Sequence, residues 1–253
     1  MGGENPEMDL PSTLDLVRVF DYEPELLEGL DEPTTAHLRA RMAARRAWAE
    51  PGPWAPPMDP EQAFGHLGLL VLDGLLVRSV NLGGRECSEV VGPGDLLRPW
   101  DGEDLIFSVD CASAWRVLQP TTFALLDRSF ALQIARWPTI TAQLLSRSTR
   151  RCRTLIYQAT IAHVRHAETR VLLALWGLAD RWGTVTAQGV RVPVPLTHQL
   201  LAQITCLQRP TVSAAVSSLS RAGELSKELD GAWLLHGRPP KLAGAPVAEL
   251  AAA

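Results

Sequence analysis

The segment from Leu196 to Gly223 carries residue types that suit contact with a polyanion. Between Arg209 and Ser220 the chain has no acidic residue, and many of its polar positions are small hydroxyl side chains. A guanidinium can donate two parallel hydrogen bonds to a guanine edge, and hydroxyl groups can hydrogen-bond to phosphate oxygens. A merely solvated helix face usually carries glutamate and lysine instead. The pattern therefore favours a surface that meets duplex DNA.

Two short helices joined by a tight turn are predicted for this segment. Thr197 is a favourable N-cap, the break falls on Thr205–Leu207, and Pro210 is tolerated in the first turn of a second helix that ends at Gly223. Such a pair is a helix-turn-helix, whose second helix enters the major groove. The candidate DNA contacts are the first N-cap and the start and outer face of the second helix: Thr197, Gln208, Arg209, Pro210, Thr211, Ser213, Ala214 and Ser217.

The inner face of the second helix and the segment after it complete this prediction. Val212, Val216 and Leu219 follow helical spacing and are predicted to be buried. Two apolar runs, Leu225–Leu229 and Ala232–Leu235, are joined through Asp230-Gly231, which is a hairpin signal and is typical of a wing. An ordinary helical hairpin is the alternative.

A long helix is predicted before this region, because Pro138 opens a stretch without glycine or proline that continues to Gly177. Its length to His163 is about 39 Å at 1.5 Å per residue. A narrow stripe with 3-4-3-4-3 spacing, with Arg147 and Arg151 among the arginines outside it, favours a dimerisation helix; a helix packed on its own domain is the alternative. The stripe consists of Leu145, Ser148, Cys152, Leu155, Ala159 and Ala162.

The N-terminal half has a different pattern. Residues 13–48 show helix-like spacing that includes Trp48. Between residues 64 and 128, turn signals such as Asp73-Gly74 and Gly92–Asp95 recur at about nine or ten residues, with short apolar runs between them. Several short strands at this spacing predict an antiparallel barrel or roll.

Composition and charge fit a globular protein with one basic half. The chain has 253 residues, of which 46% are hydrophobic and 21% charged, and no run of about 18 apolar residues, so no membrane span or signal peptide is expected and the cytoplasm is the expected location. From Arg136 onward, 14 basic and 6 acidic residues give a net charge of +8, whereas the rest carries −12. Four scattered cysteines without a C-x-x-C pair predict buried or free thiols rather than a metal site, with burial favoured for Cys87 and Cys111.

The chain resembles the Crp/Fnr superfamily of bacterial transcription regulators over residues 13–237. The resemblance implies an α+β fold with an N-terminal antiparallel β-roll sensor domain, a long dimerisation helix and a C-terminal winged helix-turn-helix. The family motif Arg-Glu-Thr-Val-Ser-Arg reads Arg209–Ala214 here, with Pro210 and Ala214 in place of the Glu and the second Arg. The base preference at those two positions therefore stays open, and Cys206 replaces the family's turn glycine.

The implied organisation divides the chain into five parts. They are a disordered tail at 1–12, a β-roll effector-like domain at 13–137, a dimerisation helix at 138–164, a winged helix-turn-helix DNA-binding domain at 165–237 and a flexible tail at 238–253. The resemblance implies a homodimeric, sequence-specific transcription regulator on a palindromic operator, with double-stranded DNA and RNA polymerase as partners.

The effector of this regulator is unknown, and none is required by the sequence. Cyclic-nucleotide-binding members carry Phe-Gly-Glu after the Gly-Asp turn and then a phosphate-binding arginine, whereas here Leu96–Trp100 follows the turn and no arginine lies between Arg98 and Arg116. Dependence on a cyclic nucleotide is therefore not expected. Arg98 and Trp100 are the candidate contacts for another small molecule.

A metal-dependent cupin-like enzyme, or a small-molecule-binding protein with an accessory helix-turn-helix, is the alternative. A cupin-like site needs several inward histidines and carboxylates, yet residues 64–128 hold one histidine, His66. No P-loop, G-x-S-x-G or H-E-x-x-H motif occurs. The sequence therefore predicts no enzyme, no metal and no cofactor.

Overall fold

The computed structural model describes residues 15–55, 61–101, 109 and 111–242. The chain divides into two compact units, Met1–Ile156 and Tyr157–Ala253, and the boundary falls within its longest helix. The tail predicted at 1–12 lies outside the described residues, as does the tail predicted at 238–253 from residue 243 on. The combination of helices and antiparallel sheets confirms the predicted α+β class.

The N-terminal unit combines short helices with a sheet. Its helices are α1 (Val19–Tyr22), a 3-10 helix (Pro24–Leu27), α2 (Glu32–Arg41), α3 (Arg128–Ile134) and the first part of α4 (Pro138–Ile161). Its strands are β1 (Leu16–Val17), β2 (Ala44–Ala49), β3 (Gly52–Trp54), β4 (Gly68–Leu82), β5 (Arg85–Val91), β6 (Leu96–Leu97) and β7 (Ala112–Leu126).

The described strands of this unit form one antiparallel sheet around two long strands. The order is β1-β2-β7-β4-β5, with β3 also paired to β7 and β6 to β4. A tight turn at Gly83-Gly84 joins β4 to β5, with partners from Leu82↔Arg85 to Leu76↔Val91. The predicted antiparallel roll is therefore present, but with fewer and longer strands than the turn signals suggested.

Asp73-Gly74, predicted to be a turn, lies inside β4 instead. β4 pairs with β7 on both sides of it, and the register shifts between Val71 and Leu76. Gly74 has φ +89°, and a Cβ at this position would collide with the Pro120 carbonyl oxygen. A positive φ with such a close backbone approach forms a bulge. The turn prediction is wrong because the same dipeptide suits both structures, and the pairing with β7 selects the bulge.

The helical pattern predicted over residues 13–48 is correct only in part. The helices end with α2, and Ala44–Ala49 is strand β2, which pairs with β7 from Arg45↔Leu125 to Ala49↔Thr121. Trp48 lies on this strand and is 46% exposed. Over so short a window, periodicity alone does not separate a strand from a helix.

The alternate side chains of β4 and β7 belong to two hydrophobic clusters. In the first, Leu70, Leu72, Ala124 and Leu126 join residues of the short helices, α3 and α4. In the second, residues at the intervening positions, Leu69, Val71, Phe123 and Leu125, join β2, Val91 and Trp100. Both faces of the central strand pair are therefore buried, as the period of two in a strand requires.

Helix α4 turns one face toward the rest of the N-terminal unit. Ile140 and Leu144 are buried, and so is Arg147, whose Nη2 donates to Glu23 at 2.7 Å and to Glu25 at 3.0 Å. Arg151 donates to Glu89 through Nε at 3.1 Å and through a second contact from Nη2. Arg147 and Arg151, which the sequence placed outside the stripe, are therefore ion-paired within the N-terminal unit. Their partners lie more than 60 residues away in sequence, where a local pattern cannot reveal them.

The C-terminal unit contains the end of α4, three further helices and a small sheet. Its other helices are α5 (Ala167–Trp182), α6 (His198–Thr205) and α7 (Arg209–Arg221). Its strands are β8 (Thr184–Val185), β9 (Val190–Val192), β10 (Leu225–Lys227) and β11 (Trp233–Leu235), in the antiparallel order β10-β11-β9-β8. Ala162, predicted on the long helix, lies just beyond it, because turn-type bonds such as Thr160 O to His163 N end α4.

None of the four cysteines is buried, contrary to the prediction for Cys87 and Cys111. Cys87, Cys152 and Cys206 are exposed and Cys111 is intermediate. Cys87 lies on β5 and Cys152 on α4, so exposure follows from the face of each element rather than from the hydrophobic character of the thiol.

Candidate nucleic-acid interface

Helix α6 begins at a side-chain cap, as predicted. The Thr197 hydroxyl accepts a hydrogen bond from the Leu200 N–H at 3.1 Å, and Thr197 itself has extended backbone angles. Leu200, Leu201 and Ile204 are buried. This cap satisfies one of the free N–H groups at the helix end and leaves Thr197 exposed at the surface.

The turn between α6 and α7 depends on a left-handed residue. Cys206 has φ 52° and ψ 40°, and the Leu207 N–H donates to the Ala202 carbonyl at 3.0 Å. Thr205 belongs to α6, so the break lies one residue later than predicted. The left-handed conformation is thus adopted without a glycine, which costs a non-glycine residue about 1–2 kcal/mol.

The first turns of α7 form an exposed polar surface without an acid. Gln208 is the N-cap residue and has extended angles, and Pro210 lies in the first turn. Val212, Ala215 and Leu219 are fully buried, whereas Val216, predicted for this face, is only half-buried. The candidate contact residues on this helix that are exposed are Gln208, Arg209, Pro210, Thr211, Ala214 and Ser217.

Two of the predicted hydroxyl contacts have hydrogen-bond partners within the unit. The Ser213 hydroxyl lies 2.9 Å from Nδ1 of His198, and Ser213 is half-buried. The Ser217 hydroxyl donates to the Ser213 carbonyl at 2.9 Å. His198 therefore links α6 to α7, a role that the sequence analysis missed. The position of a histidine directly after the N-cap is the only local signal for it.

The carbonyl end of α6 is held by side chains from other helices of the same unit. Gln158 Nε2 donates to the Ile204 carbonyl at 3.0 Å, and Arg170 Nη1 donates to the Thr205 carbonyl at 3.3 Å. Arg170 also donates to the Val164 carbonyl through Nε and Nη2. These bonds satisfy carbonyls that a helix end leaves without partners, and they fix the turn that orients α7.

The predicted wing is present as a β-hairpin with an ion-paired base. β10 and β11 pair from Leu225↔Leu235 to Lys227↔Trp233, and Leu229 lies beyond β10 and is exposed. Arg191 donates to Glu228 at 2.7 Å and also contacts Asp230. The hydrogen bond from the Ala232 N–H lowers the pKa of Asp230, and the charge of Arg191 adds to this shift.

The residues of the predicted dimerisation stripe lie mostly at the surface of α4. Leu145 is 67% exposed and Leu155 is 37% exposed, while Cys152 and Ala159 are exposed and Ser148 is half-buried. Ile156, which the sequence analysis missed, is 68% exposed and follows Cys152 by one helical turn. Leu145, Cys152, Leu155 and Ile156 therefore form an exposed, largely apolar face of α4.

The two candidate effector contacts occupy different places in the N-terminal unit. Arg98 lines a cavity of about 270 Å³ together with Arg78, Trp115 and Arg151. Trp100 is buried in the second hydrophobic cluster and does not line this cavity. Burial lowers the pKa of Arg151, but the hydrogen bond and charge of Glu89 and the charge of Asp95 outweigh it, so the pKa is raised.

Neither a metal centre nor a membrane helix is found in the described part of the chain. No group of three or more histidine, cysteine, aspartate or glutamate side chains there is arranged to hold a metal ion. Likewise, none of its helices is both long and apolar enough to span a bilayer.

Residues 169–238 match the Crp-like helix-turn-helix domain family. This range contains most of α5, the helix pair α6–α7 and the wing. None of the curated proteins compared with the chain matches it in sequence.

Three solved structures share the fold over most of their length. FixK2 from Bradyrhizobium japonicum is 20% identical, with a TM-score of 0.60 over 80% of this chain and 100% of its own. A CooA mutant from Carboxydothermus hydrogenoformans is 17% identical, with a TM-score of 0.58 over 90% and 94%. A CRP-family transcriptional regulator from Thermus thermophilus, TTHB099, is 22% identical, with a TM-score of 0.53 over 76% and 91%. The likeness covers the sheet-containing unit as well as the helix-turn-helix.

Proposed function

We propose, from the premise that this chain is a member of the Crp/Fnr superfamily with a Crp-like helix-turn-helix domain, that it regulates transcription as a homodimer on a palindromic operator. The domain match and the shared fold support a DNA-binding transcription regulator. The homodimer, the operator symmetry and the identity of the contacts are the parts that need testing.

The observation that carries the proposal is the exposed, acid-free start of α7. Arg209 and Thr211 are exposed at the helix N-terminus, where backbone N–H groups and the helix dipole favour phosphate oxygens. Arg209 is the residue expected to read a guanine, and Gln208, Pro210, Thr211, Ala214 and Ser217 are expected to approach the DNA backbone or base edges. Thr197 would contact a phosphate at the start of α6, and Ser213 would act mainly through His198.

The second copy in the proposed homodimer would pack on the apolar face of α4. Leu145, Cys152 and Leu155 are exposed at helical spacing, and Ile156 extends the same face. Ser148 and Ala159 are small enough to let two helices approach closely. Two recognition helices related by a two-fold axis would then enter major grooves one helical turn apart.

Binding to the operator is proposed to need no cyclic nucleotide, because the family's ribose-binding and phosphate-binding residues are absent from the segment after Asp95. The protein would act in the cytoplasm and recruit or block RNA polymerase at the bound promoter. No catalytic step is part of this function.

Selection from a random duplex pool, followed by fluorescence anisotropy with the selected site, tests the proposal. The selected sequences are expected to be palindromic, and affinity is expected to fall steeply with salt, since phosphate contacts release counterions. Arg209→Ala should weaken specific binding by about 1–3 kcal/mol and reduce discrimination between sequences. Arg221→Ala, at the opposite end of the same helix, is the matched control, and it should leave discrimination unchanged.

Two outcomes would contradict the proposal. If the Arg209→Ala variant and the unchanged chain discriminate equally between DNA sequences, α7 is not the helix that reads the base sequence. Sedimentation of the unchanged chain as a monomer, with no difference in the Leu145→Glu variant, would remove the homodimer.

A further inference from the structure

The outward face of helix α7 has an apolar centre. Pro210 and Ala214 are exposed and lie about one helical turn apart, on the side opposite the buried Val212 and Leu219. Arg209 lies to one side of this line, and the next charged residue of the helix is at its last position. In the proposed function, two apolar groups therefore face the base edges of the major groove.

The hydroxyl groups beside this centre are engaged within the protein. The Ser213 hydroxyl lies 2.9 Å from Nδ1 of His198 and is thereby held toward α6. The Ser217 hydroxyl donates its proton to the Ser213 carbonyl at 2.9 Å. Between these two serines, the methyl group of Ala214 is therefore the exposed side-chain group that can meet a base.

The major groove offers one base-edge group that suits such a partner. The nitrogen and oxygen atoms of the base edges need hydrogen-bond partners and lose free energy when an apolar group covers them. The C5-methyl group of thymine is apolar and packs well against small apolar side chains.

We infer that Ala214 selects a thymine in each half-site by packing against its C5-methyl group, with Pro210 extending the apolar contact. This contact takes the place of the second arginine of the family motif, which Ala214 replaces. The inference rests on the proposed function, because it takes α7 as the helix that enters the groove.

The spacing along the helix sets where the thymine lies. Arg209 and Ala214 are five residues apart, which is about 7.5 Å along the helix axis and close to two base-pair steps of about 3.4 Å. The thymine is therefore expected within about three base pairs of the guanine that Arg209 contacts.

An apolar contact also predicts how the protein responds to a modified base. 5-Methylcytosine carries the same methyl group at C5, but an amino group where thymine has a carbonyl oxygen. Ala214 has no hydrogen-bonding group that distinguishes these two. Methylation of a cytosine at this position should therefore create a contact that unmodified cytosine lacks.

A uracil scan of the selected operator tests the inference. Uracil pairs as thymine does and lacks only the C5-methyl group, so each thymine is replaced in turn and binding of the full chain is followed by fluorescence anisotropy. Loss of the contacted methyl group in one half-site should weaken binding by about fourfold, whereas uracil outside the half-sites should change it by less than about twofold. Cytosine at the same position should bind more weakly than thymine, and 5-methylcytosine should restore binding to within about twofold of thymine.

Variants assign the contact to Ala214. In Ala214→Gly, the ratio of thymine to uracil affinity should fall from about fourfold to about one. Ser220→Gly, at an exposed position of the same helix, is the matched control and should keep the ratio of the unchanged chain. The ratio compares two duplexes with one protein, so a general loss of helix stability does not alter it. Ala214→Arg restores the family's side chain and should move the preference at this position from thymine to guanine.

Three results would overturn the inference. They are equal affinity for thymine and uracil at every thymine of the operator, an unchanged ratio in a folded Ala214→Gly variant, and a selected operator without thymine within about three base pairs of the guanine. Thermal melts identify a variant that fails to fold, and the uracil scan on the unchanged chain then remains decisive. Failure to select any sequence would overturn the proposed function together with the inference, whereas the first two results overturn the inference alone.

Discussion

The two units place their arginines in opposite surroundings. In the N-terminal unit, Arg147 and Arg151 form ion pairs with the buried carboxylates Glu23 and Glu89, which come from distant parts of the chain. In the C-terminal unit, Arg209 is exposed at the start of a helix whose first turns contain no acid. The same side chain therefore holds a fold together in one unit and is available to an external polyanion in the other. The partner of each arginine, rather than the residue type, decides between these two roles.

Removing a buried arginine is expected to cause the largest loss of stability. Arg147→Ala leaves Glu23 buried without its counter-charge, which should lower the free energy of unfolding by about 3–5 kcal/mol. Arg153→Ala, on an exposed position of the same helix, is the matched control and should change it by less than about 0.5 kcal/mol. Urea unfolding followed by circular dichroism measures both. Equal losses of unfolding free energy in the two variants would show that burial of the arginine does not decide its contribution to stability.

Long-range contacts also decide where the backbone of the N-terminal unit needs a glycine. Gly74→Ala tests this. A methyl group there meets the Pro120 carbonyl oxygen and adopts φ +89°, so the expected loss is about 2–4 kcal/mol. Gly84→Ala has a similar φ of +78° but nothing within 4 Å of the added carbon, and it should lose only about 1 kcal/mol. A loss at Gly84 as large as that at Gly74 would show that φ, and not the approach of β7, makes glycine necessary.

Cys206→Gly is the corresponding change in the C-terminal unit and should raise stability slightly. Glycine relieves the left-handed strain of about 1–2 kcal/mol but adds about 0.5–1 kcal/mol of unfolded-state entropy, so the expected gain is up to about 1.5 kcal/mol. Cys206→Ser keeps the Cβ atom, loses the thiol and should show no gain. Thermal melts of the three chains separate the two causes, and a gain in the serine variant would assign the effect to the thiol.

The smallest expected effect is a difference in the pH dependence of the two units. Burial raises the pKa of Glu23 above 4.5, so the folded chain holds more protons there and this group makes stability fall as pH rises from 4.5 to its folded pKa. The pKa of Asp230 lies below 3.8, so its contribution is present above pH 3.8 and is lost as pH falls through the folded pKa.

Hydrogen exchange of amides in β4 and β11 reports the two units separately. Glu23→Gln should flatten the pH dependence of stability in the N-terminal unit, and Asp230→Asn should flatten it in the C-terminal unit. Neither substitution should alter the pH dependence of the other unit. A Glu23→Gln variant that retains the slope above pH 4.5 would assign it to another group.

What the sequence could predict also differs between the units. Thr197 as a cap, Pro210 in a first turn and the Asp230-Gly231 turn are decided by neighbours a few residues away, and each prediction is confirmed. The exposed start of α7 follows from the same local pattern. The link from His198 to Ser213 was not foreseen, because it joins two helices.

The features that the sequence did not reveal in the N-terminal unit have one physical origin. The bulge at Gly74 depends on β7, and the burial of Arg147 depends on Glu23, which lies 124 residues away. The cavity combines residues of β4, β7 and α4, so Arg98 could be named from sequence but Arg78, Trp115 and Arg151 could not. Long-range pairing sets these features, and periodicity over a short window does not contain it.

The division of β4 and β7 between two hydrophobic clusters has a consequence for how the N-terminal unit unfolds. Leu70 and Ala124 face one cluster, while Leu69 and Leu125 face the other. Strands β4 and β7 contribute side chains to both clusters, so one cluster cannot unfold while these strands remain packed against the other. Both clusters should therefore behave as one cooperative folding unit in native-state hydrogen exchange. A shift of one residue in the pairing of β4 with β7 would exchange the side chains that face the two clusters. The bulge at Gly74 fixes the register of the two strands and so excludes this misaligned state.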